Sequence, residues 1–273
     1  MQDEFGVPEI YEQEAQGSLA YLFQDVQLVL KVPVVNFIFR TLGLYRDFLD
    51  IAWGQVRPNM LTVDMEKAAG KLRFPNLYTR TQPHKEWKHI YDEHTIEKIR
   101  KIIFTFNYVN PKLLLIASAW AESLSGRTIL GKTYLKGFIE PGIIAGLPEI
   151  NLVKIPQLPP LQGLLEEIME KHHAFDLASD FRALVNYPEF LSMSWNYLKP
   201  HVGSDEYNLL KSQLKSESIK IVREMPFPIS INRRMLPSIY SASEIAGIIG
   251  IISLFQDFLP SLIIDGELLR RMF

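Results

Sequence analysis

The sequence predicts an all-α protein made of two homologous helical repeats that form an intramolecular pseudo-dimer. Apolar residues recur mostly at helical spacing, and the twenty residues from Phe39 to Pro58 have a second copy from Phe181 to Pro200. The offset is constant, because 182 − 40, 195 − 53 and 200 − 58 all equal 142. Eight positions are identical, where chance would give about one. The chain therefore contains an internal duplication.

The helical pattern extends beyond the two copies. Residues spaced as on one helical face are Leu19, Leu22, Phe23, Val26 and Leu30 in one stretch, and Ile99, Ile102, Ile103 and Phe106 in another. Each copy is predicted to hold two tightly joined helices, since Gly43 suits the end of the first helix and Pro188 the first turn of the second. Pro58 and Pro200 are expected to end the second helix.

Residues 140–161 differ from the rest of the chain in composition. This segment contains five prolines, which would interrupt a helix, together with several Ile, Leu and Val residues. We interpret it as a linker that packs along the surface rather than as a free tether. The predicted organisation is a first repeat over 1–139, the linker over 140–161 and a second repeat over 162–273.

Composition and charge exclude several classes of protein. A hydrophobic content of 47% with 22% charged residues is typical of a folded globular protein, and the net charge of −2 predicts neither nucleic acid nor membrane as a partner. The N-terminal residues are acidic and do not resemble a signal peptide, which predicts a cytoplasmic protein. The longest uncharged apolar run, Ile245–Phe255, has 11 residues and is interpreted as a buried core helix.

The chain contains no cysteine, so disulfides, thiolate metal sites and cysteine nucleophiles are excluded. Nucleotide-binding and α/β-hydrolase motifs are also missing, and we expect any enzyme here to work without a cofactor. Metal binding is not predicted, because His84, His89 and His94 are five residues apart and would not share a helical face. The adjacent His172 and His173 are expected at the surface or at a helix start.

The two copies differ just upstream of the matched segment. Ile38 in the first corresponds to Asp180 in the second, and Phe37 corresponds to Ser179. At helical spacing, Asp180 replaces an apolar residue on an inward face. A buried carboxylate has either a raised pKa, which suits a general base, or an ionic partner. The alternative interpretation is that Asp180 pairs with Arg182 or Arg40, or that Ser179 or Asp180 caps a helix.

The duplicated segments, with the residues before them and the NPKLLL segment at Asn110, resemble one known family. The chain is similar over most of its length to the group I 2-haloacid dehalogenases, the DehI-type halocarboxylic acid dehalogenases. The resemblance implies an all-helical pseudo-dimer with its active site between the repeats. It also implies hydrolysis of short 2-haloalkanoic acids by an aspartate-activated water, with inversion at C2 and action on both enantiomers.

The resemblance further assigns roles to residues of this chain. The water-activating aspartate falls on Asp180, with Ser179 before it, and the site asparagine falls on Asn110, with Asn107 as the competing choice. A site tyrosine maps onto Tyr240. Phe37 is the nearest match to an aromatic residue of the first repeat, whereas the tryptophan that the family has near it is missing, which bears on substrate range.

Two functions remain open from the sequence. One is a cofactor-free hydrolytic dehalogenase in which Asp180 and Asn110 act on water, while Ser179, Tyr240 and Phe37 bind the substrate. The other is a non-catalytic protein of the same fold that binds a small carboxylate or a partner protein. The sequence leaves a homodimer open. Arg40 and Arg182, which occur in both copies, are expected to be structural.

Overall fold

The structure, a computed structural model, describes residues 7–77, 87–132, 134–153, 159–231 and 233–273. Within these residues the regular elements are helices, and the extended backbone forms only two isolated bridges, Thr62 with Phe138 and Ile129 with Ile229. The prediction of an all-helical protein is confirmed. The α-helices are α1 (Ser18–Leu30), α2 (Phe37–Leu42), α3 (Arg46–Met60), α4 (Val63–Leu72), α5 (Glu93–Leu124), α6 (Pro159–His172), α7 (Ser179–Leu184), α8 (Pro188–Leu198), α9 (Asp205–Val222) and α10 (Ala242–Arg270).

Each duplicated segment holds two consecutive helices, α2 with α3 and α7 with α8, as predicted. Pro188 occupies the first turn of α8, where its missing N–H leaves no bond unmade. Gly43 ends α2 in ordinary helical geometry, with φ of −57°. Space is tight there, because a Cβ would lie 3.2 Å from the carbonyl oxygen of Arg40 and 3.3 Å from the Phe23 ring.

The expectation that both prolines lie beyond their helices is wrong for one of them. α8 ends at Leu198, before Pro200, but α3 continues through Pro58 to Met60. A proline in the last turn removes one backbone hydrogen bond without preventing two further residues from keeping helical geometry.

The segment predicted to be a linker is irregular from 140 to 153 and packs against helices of both halves. Gly142 N donates to Leu28 O at 2.8 Å, beside α1, and Asn186 Nδ2 donates to Asn151 O at 2.9 Å, beyond α7. Residues 154–158 lie outside the described part, and α6 already begins at Pro159, within the predicted linker.

The two longest helices, α5 and α10, pack along each other and form the centre of the molecule. Both are long and apolar enough to pass a composition test for a membrane-spanning helix, which core helices pass as well. The most apolar window of α5 is 94% buried inside the protein, and that of α10 is 61% buried. The apolar run at the start of α10 is therefore only partly a core segment, since Leu254 is exposed.

Candidate active site

A small cavity lies where the starts of α2 and α7 meet the central helices. Three consecutive residues from each start line it, and α5 and α10 supply the remaining walls. The lining residues are Asn36, Phe37 and Ile38, then Ala178, Ser179 and Asp180, with Asn110 and Leu113 from α5 and Phe255, Phe258, Leu259 and Leu262 from α10. The cavity has a volume of about 20 Å³, which is room for one water molecule.

Asp180 is the acidic group of this cavity and is 8% exposed. Asn110 Nδ2 donates a hydrogen bond of 2.7 Å to Asp180 Oδ2. Burial raises the pKa of Asp180 to about 7, and the negative charge of Asp265 adds to this effect. The hydrogen bonds from Asn110 and from the backbone N–H of Asp180 lower the pKa, but only in part. Asp180 is therefore a carboxyl that both accepts and releases a proton near neutral pH.

The alternative that Asp180 pairs with an arginine is wrong. Arg40 forms an ion pair with Glu9, with Nε and Oε2 2.7 Å apart. Arg182 binds Glu9 at 2.5 Å and Asp176 at 2.9 Å. Both arginines are thus neutralised by other acids, so that no arginine charge lowers the pKa of Asp180. The cap of α7 is Ala178, without a side-chain hydrogen bond.

Four of the residues predicted for the site meet at this cavity, namely Asp180, Asn110, Ser179 and Phe37. Phe37 packs edge to face on Phe255, with ring centroids 5.4 Å apart, and closes one side. Asn107, the competing asparagine, is not among the lining residues. It is buried one turn earlier on α5, where its side chain backs onto Gly266 of α10.

The structure does not bring Tyr240 to the cavity. Its hydroxyl accepts a hydrogen bond of 3.0 Å from the backbone N–H of Phe48, in the first turn of α3. Its ring packs edge to face on Tyr45, with centroids 6.0 Å apart. Tyr240 therefore caps a helix of the other half of the chain, and we remove it from the set of substrate-binding candidates.

His172 is buried, contrary to the expectation of a surface residue. Its Nε2 lies 2.7 Å from Asp265 Oδ2, and Tyr207 donates to the other oxygen at 2.9 Å. Burial lowers the pKa of His172, but the charge of Asp265 and the hydrogen bond to it outweigh that effect and raise it. In the described part of the chain, no three His, Cys, Asp or Glu residues are grouped so as to hold a metal, and His84 lies outside that part.

Several features of the cavity were not found from the sequence. The α10 residues Phe255, Phe258 and Leu259 lie in or just after the apolar run, whose helical spacing was the available signal. Arg40 Nη2 lies 3.1 Å from Ser179 Oγ. Nothing in the sequence predicted this contact except that the arginine occurs in both copies.

The chain is similar to known proteins of one family. A family model described as Halocarboxylic acid dehydrogenase DehI matches residues 33–179, more than half of the chain. The chain is 29% identical to a configuration-inverting 2-haloacid dehalogenase of Alcaligenes xylosoxydans xylosoxydans, over 94% of this chain and 90% of the relative. It is 25% identical to an (R)-2-haloacid dehalogenase of Pseudomonas putida, over 93% and 88% of the two chains.

Solved structures with the same fold are also similar. A D-2-haloacid dehalogenase determined in complex with L-LA superposes with a TM-score of 0.90, covering 98% of this chain and 97% of the other. The identity in that alignment is 23%, so it supports the fold alone. The family match over more than half of the chain confirms the family that the sequence predicted.

Proposed function

The chain belongs to the DehI halocarboxylic acid family, and from this premise we propose that it hydrolyses short 2-haloalkanoic acids to 2-hydroxyacids at the Asp180 cavity. A water hydrogen-bonded to Asp180 attacks C2 on the side opposite the halogen. The carbon–halogen bond breaks, its electron pair leaves with the halide, and the water proton passes to the Asp180 carboxylate. The product is inverted at C2, and Asp180 then releases the proton to solvent.

The observation that carries this proposal is the buried Asp180–Asn110 pair beside a cavity for one water. Because this space holds only the attacking water, the 2-haloacid enters when the lining side chains move apart. A general base works best when its pKa lies near the operating pH, and burial brings Asp180 to that range. Because Asn110 uses Nδ2 to bind the carboxylate, its Oδ1 is the atom that can accept a hydrogen from the same water. Two acceptors then fix the orientation of the water lone pair.

We also propose that the chain is a pseudo-dimer of repeats over 1–139 and 162–273, joined by 140–161. One support is a matched set of contacts at the 142-residue offset. Trp53 Nε1 donates to Asp25 at 2.8 Å, and Trp195 Nε1 donates to Glu167 at 2.8 Å. Each of the two acids also binds a cation four residues after the tryptophan: Arg57 for Asp25, and Lys199, just after the end of α8, for Glu167.

A second support is reciprocal and links the halves. Tyr240 caps α3 at Phe48, and Tyr91 caps α8 at Phe190, each accepting a backbone hydrogen bond of 3.0 Å. The capped residues are 142 apart. The two tyrosines are 149 residues apart. The same separation joins the N-caps of α5 and α10, which are Asp92 and Ser241, and the prolines inside these two helices, which are Pro111 and Pro260. Exchange of equivalent contacts between two units is the pattern of an isologous interface.

These offsets support a cavity on the pseudo-twofold axis with a single base. The partners of Asp180 and Asn110 at the matched positions are Ile38 (180 − 142) and Leu259 (110 + 149), which also line the cavity. The two positions that match the Asp180–Asn110 pair are therefore both occupied by apolar residues. Leu113 and Leu262 are matched in the same way and both line the cavity, so the proposed axis relates one leucine wall to the other.

The similar walls support our proposal that both enantiomers react, each with inversion. An apolar substituent at C2 meets leucine on either side, so neither hand of the substrate places it against a polar group. The measurement is turnover of (R)- and (S)-2-chloropropionate with chiral analysis of the lactate formed. Turnover of one enantiomer only would contradict this part and leave the dehalogenase proposal intact.

Halide release from 2-chloropropionate and its C2–C4 homologues tests the function itself. We expect halide and 2-hydroxyacid in equal amounts from the native protein. A non-catalytic protein that binds small carboxylates would instead be stabilised by these acids without releasing halide, and that result would refute the proposal.

The role of water is tested by a single turnover in ¹⁸O-labelled water with enzyme in excess. Attack by water puts the label in the first 2-hydroxyacid formed, and none in Asp180. If Asp180 attacked C2 itself, hydrolysis of the resulting ester would put the label into the Asp180 peptide, and the first product would carry unlabelled oxygen. Mass spectrometry of both species separates the two routes.

A further inference from the structure

We propose that Arg40 is a positioning residue for this reaction, because it directs the hydroxyl of Ser179 to donate a hydrogen bond to the substrate carboxylate. The inference rests on the proposed function and adds a residue to its substrate-binding site. Ser179 lines the cavity next to Asp180, whereas Arg40 lies behind it and is not among the lining residues.

The argument begins with the hydrogen-bonding capacity of the two groups. Arg40 Nη2 lies 3.1 Å from Ser179 Oγ, and both atoms are buried. A guanidinium can only donate hydrogen bonds, whereas a hydroxyl has one donor and two acceptor sites. Ser179 is therefore the acceptor, and its own hydrogen must point away from Arg40. Among the described residues none accepts that hydrogen, so that the cavity is the place where it finds a partner.

Arg40 is held firmly enough to impose this direction. Its side chain is 1% exposed, Nε binds Glu9 at 2.7 Å, and Nη1 donates to the carbonyl of Val35 at 2.5 Å. A planar guanidinium fixed at two nitrogens has little freedom at the third. Because Glu9 neutralises its charge, Arg40 acts on an anionic substrate mainly through the serine hydroxyl rather than by long-range attraction.

The matched arginine provides an internal control. Arg182 stands 142 residues after Arg40, is also buried and also binds Glu9. The residue that corresponds to Ser179 in the other half is Phe37, which has no hydroxyl, and the Arg182 guanidinium lies 5.2 Å from the centre of that ring. The two arginines thus share a scaffold and an acid partner, but only Arg40 contacts a cavity-lining hydroxyl.

The experiment compares Arg40→Met, Ser179→Ala, the double variant and Arg182→Met in steady-state dehalogenation. Loss of one hydrogen bond to a charged group is expected to raise KM about tenfold in Arg40→Met and in Ser179→Ala, with a smaller change in kcat. Adding Arg40→Met to Ser179→Ala is expected to change KM less than about twofold, because both act on one contact. Arg182→Met should leave KM within about twofold at a similar loss of thermal stability.

Equal KM changes in the two arginine variants, or multiplicative effects in the double variant, would overturn the proposal in favour of a purely structural role. If Arg40→Met does not fold, Arg40→Lys can replace it. Lysine keeps a cation for Glu9, but it lacks the planar guanidinium that also donates to Ser179, so the same rise in KM is expected. Calorimetric binding of propionate, which has no halogen to lose, repeats the comparison without catalysis. This arm separates failure of the Arg40 role from failure of the dehalogenase proposal.

Discussion

Asp180 differs from the other buried carboxylates of the described chain in its partner. Glu122 and Glu267 each bind two arginines, Asp176 binds Arg182, and Asp265 binds His172. Asp180 instead receives an uncharged amide hydrogen. A carboxylate bound to a cation serves the fold, whereas Asp180 has no cationic partner, and burial raises its pKa to about 7. This contrast distinguishes the proposed base from the structural acids.

The first prediction at this scale is that Asp180→Asn strongly lowers turnover and stabilises the protein at neutral pH and above. Removing a general base should lower halide release by about 10²–10⁴-fold. The folded protein holds the Asp180 proton up to about pH 7, while the unfolded chain releases it near pH 4, so the native protein loses stability as the pH rises through this window. The variant has no carboxyl group at this position, so its free energy of unfolding does not fall in this pH window. The difference from the native protein amounts to at most about 4 kcal/mol.

Thermal unfolding at pH 4 and pH 8 measures the stability effect. We expect equal midpoints for the two proteins at pH 4 and a higher midpoint for the variant at pH 8. A variant that is less stable at both pH values, with residual activity that follows the folded fraction, would mean that Asp180 has a structural role.

The second prediction concerns the pH dependence of the rate. The base acts only when it is ionised, so kcat/KM should rise about tenfold per pH unit below pH 7 and level off above it. An anionic substrate placed beside Asp180 disfavours its ionisation, so the kcat profile should be shifted to higher pH. A kcat/KM that is flat from pH 5 to pH 8 would contradict the assignment.

At the scale of elements, the helix starts of the two halves depend on each other. α3 is capped by a tyrosine from before α10, and α8 by a tyrosine from before α5. Such a cap satisfies a first-turn N–H that has no partner within its own helix. The caps therefore couple folding of one repeat to folding of the other. They also fix α3 and α8, the helices that directly follow α2 and α7 at the cavity.

The third prediction follows from these caps. Tyr240→Phe and Tyr91→Phe should each lower the free energy of unfolding by about 1 kcal/mol, the typical value of a lost hydrogen bond, and both should leave kcat/KM nearly unchanged. Tyr91→Phe also removes an exposed hydrogen bond to Glu189, which adds little because it lies in water. Denaturant unfolding and halide release on the same preparations provide the two readouts. A large loss of kcat/KM in Tyr240→Phe alone would restore Tyr240 as a substrate-binding residue.

At the scale of the whole molecule, α5 and α10 form one shared core and the cavity takes residues from both halves. Asp180 belongs to the second proposed repeat and Asn110 to the first, so we expect the proposed base and its orienting amide to be assembled only when the two repeats pack together. The buried apolar residues of both halves form one continuous cluster.

The fourth prediction is that the protein unfolds in a single cooperative transition. Far-ultraviolet circular dichroism follows the helices of the whole chain, and tryptophan fluorescence includes one matched residue from each half, Trp53 and Trp195. The two signals should change together with denaturant. A plateau in one signal, or a fluorescence midpoint that differs from the circular dichroism midpoint within Trp53→Phe or within Trp195→Phe, would indicate repeats that unfold separately.

The sequence by itself determined the helical class, the family and the position of the acidic residue. Helical periodicity records which face of a helix is apolar, and the constant offset between the copies identified Asp180 as a carboxylate at a position that is apolar in the first copy. These features are local, since each depends on residues within a few turns or on direct comparison of two segments.

Only the tertiary structure decided the partners of those residues. Asn107 and Asn110 are three residues apart and lie one turn from each other on α5. Asn110 contacts Asp180, whereas Asn107 packs beside Gly266 of α10. Tyr240 was placed at the site by resemblance, but it caps a helix 192 residues away in sequence. Periodicity specifies the direction of a side chain from its own helix, while its partner depends on how distant helices cross, which is a property of the assembled core.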